Sequence, residues 1–504
     1  PRPARRGWYR FFPVVFLGVL MTGSVLAAEP GDVHVGDFGA VSDDGADDRP
    51  AIRAAVEAVK RTGARRLVFG PGHYDLIPGA DETHPTGISL HGLENVEIVG
   101  AAGSDGAPAT RLVRHWDPRR RESAGALIWA QECDRLTVRH LVFDNAPHFC
   151  TAGEVAALGD GYVEVDIFPG LPRIDGVLNY CANAWDLKTR RLKHQPSVTF
   201  GADVDRLKEE MTWRTVGGPG SRRMRLDSPR VAEQLQVGDG LSWHFGWHGL
   251  QVVFKYCDDL TLENLHTVNA IGFAMNASGC RNITARRIVI RAEGGQLAVG
   301  PRDGWKLYAC GGRVVIEDMF QEGVRWDGQN VHGSFLWVED VSEDRRRVRA
   351  RKKGGTAHPI RPGSGIRFWT GTDSERRTVV SGEPEEARAS RRSYTIVLEE
   401  PAPAGVEKGT LVSVESWDIE SYTLRNCTFE DIAGCAGILR NRHARYEGCT
   451  FDNIMYPALC LGASVHEGEG TFPRDVTVTG CRFRDSGWVA RHGATGQIAV
   501  SNWR

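Results

Sequence analysis

The chain has 504 residues, with 62 basic and 64 acidic side chains, and so can bury a large core but offers no excess of positive charge. That balance argues against nucleic acid as a partner, because nucleic-acid binding wants a basic face. Length alone is consistent with two to four domains.

Residues 1–28, "PRPARRGWYRFFPVVFLGVLMTGSVLAA", read as a signal peptide. A basic end with four Arg precedes the apolar core "FFPVVFLGVLM" and the small-residue cleavage sites "VLA" and "LAA". The apolar run is short for a membrane span. The expectation is export to the periplasm or the medium, with no stable membrane insertion after cleavage. Removing the segment leaves 58 basic against 64 acidic residues, a net charge of −6. A neutral sugar suits this balance better than a polyanion, although a local basic patch could bind sulfate or uronate. The missing initial Met and the abrupt end "GQIAVSNWR" suggest a fragment.

Next, "VGDFGAVSDDGADDRPAIRAAVEAVKRTGARRLVFGPGHYDL" runs strand, acidic loop, helix, strand. Asp48 is placed to cap a helix with Pro50 in its first turn. Ile52, Ala55, Val56 and Val59 form its apolar stripe, suited to covering the end of a solenoid. The acidic loop lacks the closing Glu of a calcium loop and reads as solvated.

The repeats then set the fold. "CDRLTVRHLVFDNA" (133–146), "CDDLTLENLHTVNA" (257–270) and "CRNITARRIVIRAE" (280–293) share one pattern. So do "SYTLRNCTFEDIAG" (421–434), "HARYEGCTFDNIMY" (443–456) and "RDVTVTGCRFRDSG" (474–487). Each has a short alternating strand, a polar corner and a second strand. A period in the low twenties marks a stacked solenoid. The fold class expected is all-β: a right-handed parallel β-helix with two inserted small antiparallel β-barrels and an N-terminal capping helix.

The insertions are expected where the period breaks, at 151–249 and 338–414, which contain short strands and turn residues. The β-helix would then occupy 29–150, 250–337 and 415–504. Eleven cysteines is an odd number. The gaps of 23 residues from Cys257 to Cys280 and 22 from Cys427 to Cys449 stack them on neighbouring coils. Either a ladder of buried thiols or disulfides between rungs fits that spacing.

The chemistry concentrates in "EGVRWDGQNVHGSFLWVED" (322–340), which sets Arg325, Trp326, Asp327, Asn330 and His332 within eight positions. Asp303, in "PRDGWKLYAC" (301–310), lies 24 positions before Asp327, about one coil. Stacked rungs would bring their backbones about 5 Å apart. Carboxyl groups on such rungs can share a groove at ~5–9 Å, a range that spans the retaining and inverting windows of glycosidases. Asn330 and His332 offer polar contacts to a sugar, and Trp305 and Trp326 offer stacking faces. Lys306 and Arg325 complete the candidate binding set. Glu467 and Glu469 in "SVHEGEGTF" stand as rim candidates.

This order of leader, rungs, insertion, rungs with "NVHG", second insertion and final rungs resembles glycoside hydrolase family 110, the β-helix α-1,3-galactosidases. "PRDGWKLYAC", "WDGQNVHGSFL" (326–336), "CAGILRNRHARYEGCTF" (435–451) and "DVTVTGCRF" (475–483) carry the resemblance. It implies an inverting, metal-independent, exo-acting glycosidase that removes terminal α-linked galactose or a related sugar, with no cofactor. Carried over by position, Asp303 takes the place of the family's earlier aspartate. Asp327 takes that of the second of two adjacent aspartates, with Trp326 standing where the first would be. The competing classes are a β-helix polysaccharide lyase, using a base with Arg302 or Arg325, and a non-catalytic glycan-binding solenoid. No oligomeric state follows from the sequence, and the partner expected is an oligo- or polysaccharide.

Overall fold

A computed structural model describes residues 31–199, 212–247, 249–354, 356–371, 373–385, 392–491 and 493–502. The expected signal segment, residues 1–28, lies outside the described residues.

The short alternating strands stack as parallel ladders, which makes the solenoid a parallel β-helix. One ladder runs through Asp258–Thr267, Arg281–Ile290, Gly311–Glu317, Ser421–Arg425 and Ala444–Glu447. A second ladder carries the site. Its central strands are β1 (Phe273–Ser278), β2 (Trp305–Tyr308), β3 (Gln329–Val341), β4 (Gly437–Arg440) and β5 (Leu459–Leu461). All pair in parallel, with Met275 beside Trp305, Trp305 beside Gln329, Gln329 beside Gly437 and Gly437 beside Leu459. Alternation sends one set of side chains into a continuous apolar core holding Leu262, Ile283, Val314, Leu424 and Phe451. Stacked rings, Phe429 on Phe451 at 5.4 Å and Phe451 on Phe483 at 4.8 Å, continue it through the last rungs.

Seven of the cysteines join this core: Cys133, Cys257, Cys280, Cys310, Cys427 and Cys449 within it, and Cys481 packed against it. Ten of the eleven are buried, and Cys481 is partly so. Cys257 donates its backbone N–H to Cys280 Sγ, and Cys449 does the same to Cys481 Sγ, each at 3.4 Å. The ladder of small apolar side chains is therefore the form the repeat takes.

At the N-terminal end, α1 (Arg49–Thr62) buries Ile52, Ala55, Val56 and Val59, with Pro50 in its first turn, and packs on the first strands. Asp48 does not cap it. Its backbone is already helical, and its buried carboxylate accepts from Val41 N at 3.0 Å and Asp75 N at 2.9 Å. It ties the acidic loop to the neighbouring strand, so the loop is solvated only in its first part.

Two antiparallel sheets interrupt the ladders. Between Cys150 and His244, seven strands form a sheet whose two end strands, Arg191–Leu192 and Arg214–Thr215, do not pair with each other among the described residues. The sheet does not stay open: Leu178 bridges Thr212 antiparallel, and Gly176 N donates to Trp213 O and Trp213 N to Val177 O, each at 2.9 Å, which joins the approach to the Arg214–Thr215 strand to that of the Tyr180–Asp186 strand. Its Arg191–Leu192 edge is taken up by the β-helix, where Asp431 accepts from Leu192 N at 3.0 Å and pairs with Arg191 at 2.7 Å. In the second region the strands at Arg347–Lys352, Arg392–Leu398, Asp373–Pro384, Gly365–Thr370 and Leu411–Val414 close into a ring through the outer half of β3. A single strand therefore runs unbroken from the rungs into this ring. Among the described residues no helix is long and apolar enough to cross a membrane.

Candidate active site

The 24-residue spacing places the two aspartates on successive rungs. Gly304 N donates to Asp327 O at 2.8 Å, and Trp305 N to Gly328 O at 2.9 Å. Glycine follows each aspartate because the rungs approach so closely there. A Cβ on Gly304 would lie 2.4 Å from Gln321 Oε1 and 2.9 Å from Gly328 O, and one on Gly328 would lie 2.7 Å from Ala436 O.

Both aspartates are fully buried, at 0% exposure, and are not the outward, solvated positions that a corner Asp-Gly suggests. Asp327 lines a cavity of about 460 Å³ together with Arg302, Lys306, Trp326 and Asn330 on one side and Arg440, Tyr456, Glu467, Glu469 and Arg491 on the other. Its Oδ1 accepts from Arg491 Nη1 at 2.7 Å and Cys435 N at 2.9 Å. Its Oδ2 is buried with no protein partner. Asp303 sits on the preceding rung, next to Gly304. Asn330 Nδ2 donates to its Oδ2 at 3.1 Å, and its Oδ1 has no hydrogen-bond partner. Burial, with the Asp327 charge beside it, pushes the Asp303 carboxyl up to about 6, against the pull of Arg302 and Lys306. The two buried carboxyl groups thus differ in their partners: Asp327 is held by a guanidinium and a backbone N–H, Asp303 by the Asn330 amide alone.

The rest of the expected set divides. Trp326 is half-buried at the cavity wall. Tyr456 meets it edge-on at 6.1 Å between centroids, and the Arg491 guanidinium lies 5.3 Å from its ring centroid. Lys306 and Asn330 are register partners and both line the cavity. Burial lowers the Lys306 ammonium, offset by the charge of Asp303.

Three expected contacts are corrected. Trp305 is fully buried in the solenoid core, because it neighbours the outward Lys306 and strand alternation must turn it inward. Arg325 points away from the cavity and donates to the carbonyls of Cys181, Thr199 and Ala433, tying the first antiparallel sheet to the rungs. His332 is buried and does not line the cavity. Its Nδ1–H donates to Gly333 O at 2.7 Å, and burial, reinforced by Lys306 and Arg440, keeps the ring well below its usual range and neutral. Its Nε2 sits 3.5 Å from Glu469 Oε1, so it backs the wall.

The rim candidates Glu467 and Glu469 both reach the cavity and both pair with Arg440, the former at 3.1 Å. Burial raises Glu467, but Arg440 outweighs it and holds the carboxyl below its ordinary value. Arg440, Tyr456 and Arg491 were not among the residues expected. Arg440 stands in register with His332 and could have been found by extending that column one rung. Arg491 comes from the irregular segment after the last long rungs and carries no periodic signal.

The site is thus a polar cavity on the side of a β-helix, with two buried carboxyl groups on adjacent rungs. No family model matches the chain. It is 21% identical to alpha-1,3-galactosidase A of Bacteroides fragilis over 94% of this chain and 80% of that protein. To alpha-1,3-galactosidase B of Akkermansia muciniphila it is 23% identical over 87% of this chain, spanning 56% of that protein's length. Among solved structures it is similar to an exopolygalacturonase from Thermotoga maritima, with 14% identity, coverage of 94% of this chain and 79% of that one, and a TM-score of 0.40. Its similarity to proteins named alpha-1,3-galactosidase thus extends over most of the chain at 20–23% identity.

Proposed function

We propose that the protein is an exported, exo-acting, inverting glycosidase that removes a terminal α-1,3-linked galactose or related sugar. The observation that carries the reading is the pairing of unlike carboxyl groups on adjacent rungs, Asp303 desolvated and Asp327 ion-paired. Asp303 is the general acid: its proton passes to the glycosidic oxygen as the bond to the anomeric carbon breaks. Asp327 is the base. Arg491 and Cys435 N occupy Oδ1, which leaves Oδ2 to take a proton from the attacking water. Exchange with solvent then restores both groups. Trp326 supplies an apolar face for the sugar ring.

Proton NMR of fresh product from an α-1,3-digalactoside tests the stereochemistry. The β-anomer should appear first; initial α-anomer excludes inversion, and an unsaturated product absorbing in the ultraviolet would mark a lyase instead.

The pH profile tests the acid. Asp303 must be protonated to act, so kcat should be present below about 6 and fall as pH rises through that value, close to tenfold per unit. The same raised value makes this proton's contribution to stability greatest below the ordinary value of 3.8 and lost as pH rises through about 6. A pH–kcat profile in Asp303→Asn should lack that limb. An unchanged limb would assign it to another group.

A further inference from the structure

The cavity's charges are unevenly matched, and this inference rests on the glycosidase reading above. Arg491 is taken by Asp327, and Arg440 by Glu467 and Glu469. Arg302 and Lys306 form no ion pair among the described residues, although both line the cavity. The Arg302 guanidinium lies 4.5 Å from the Trp247 ring centroid and 5.2 Å from that of Phe273, and its buried Nε has no hydrogen-bond partner. Lys306 Nζ lies 5.3 Å from the Phe273 centroid and 5.9 Å from that of Tyr308. Aromatic faces hold both cations in place without neutralising them. The carboxyl nearest in charge, Asp303, gives its one bonded oxygen to Asn330. Once Asp303 carries the proton an acid needs, the other carboxylate that acts on Lys306, Asp327, is already paired with Arg491.

Leaving two partly buried cations without a counter-charge costs stability, and a ligand anion would relieve that cost. We infer that the sugar received in this cavity carries an oxyanion substituent, a carboxylate or a sulfate ester, bound by Arg302 and Lys306. The local wall thus opposes the net charge of the whole chain: a protein of overall negative charge selects an acidic sugar by two unpaired cations placed beside its catalytic pair. Such selection disfavours neutral galactosides without barring them, since they leave both cations unanswered and bind more weakly.

Isothermal titration of the full chain with galactose, galacturonic acid and galactose 6-sulfate separates the possibilities without requiring turnover. An acidic sugar should bind about 10- to 100-fold more tightly than galactose, the range of a charged hydrogen bond, and should weaken as salt rises. The tighter of the two acids identifies the substituent. Arg302→Met and Lys306→Met should each cut the preference about tenfold or more, whereas Arg302→Lys should keep most of it; melting curves confirm that the variants are folded. Equal or tighter binding of galactose, no binding of either acid at millimolar concentration, or a preference unchanged in both Met variants overturns the inference. A parallel assay with matched aryl α-galactoside, α-galacturonide and 6-sulfated galactoside keeps the two readings apart. Preferential binding without hydrolysis of any of them removes the glycosidase reading alone. Hydrolysis without preference for an anion removes this one alone.

Discussion

Asp303→Asn is expected to lower kcat by about 10²- to 10⁴-fold, the usual worth of a general acid, while the protein stays folded. The side chain makes no ion pair among the described residues, and its one hydrogen bond, from Asn330 Nδ2, can be accepted by the amide oxygen of the replacement. Removing a carboxyl that burial already pushes up to about 6 removes a group that is costly to ionise, so thermal stability near neutral pH should hold or rise slightly. Asp327→Asn should also lower kcat by at least that range, because it abolishes the base. If both groups act on one transition state, the double variant should lose little more than the worse single one. Steady-state kinetics and melting temperature on the same samples check this. Near-normal turnover in folded Asp303→Asn would take that residue out of the reaction.

The period of the repeats made the solenoid legible, because inward alternation and a coil of 22–24 residues leave only one way to stack the apolar positions. The same period linked Asp303 to Asp327 without any knowledge of their surroundings. It said nothing of depth: both carboxyls are buried, and Asp327 shares its cavity with Arg440 and Arg491, which come from segments far along the chain. Composition misled at Trp305, where an aromatic beside polar residues reads as a sugar platform but the strand has room for only one outward neighbour, Lys306. Arg325 was misread for a related reason. A cation next to the catalytic motif looks like a ligand contact, yet its partners are carbonyls at 181, 199 and 433, which only the folded chain assembles. In the first antiparallel region, strand-forming residues were visible, but the seating of its Arg191–Leu192 strand was not, because that strand is held by Asp431, well over two hundred residues away.

The pair between Arg491 and Asp327 is where fold and chemistry depend on each other most directly. The contact is 2.7 Å, with the carboxylate wholly buried and the guanidinium nearly so. Burial alone would lower the arginine, but Asp327 more than compensates and holds it above its ordinary value. Arg491→Met keeps the length of the side chain and removes the charge, leaving the Asp327 carboxylate buried with only Cys435 N. Breaking a buried pair from one side typically costs ~3–5 kcal/mol, so the denaturation midpoint should fall accordingly. Because Arg491 also packs on Trp326 and Tyr456, part of the loss is packing. A cycle separates the two. Asp327→Leu combined with Arg491→Met removes both charges together and should recover much of the stability lost by Arg491→Met alone, without recovering activity. If the double variant is no more stable than the single one, the guanidinium serves as packing and not as the countercharge. In that event the separation of roles between Asp303 and Asp327 loses its electrostatic basis.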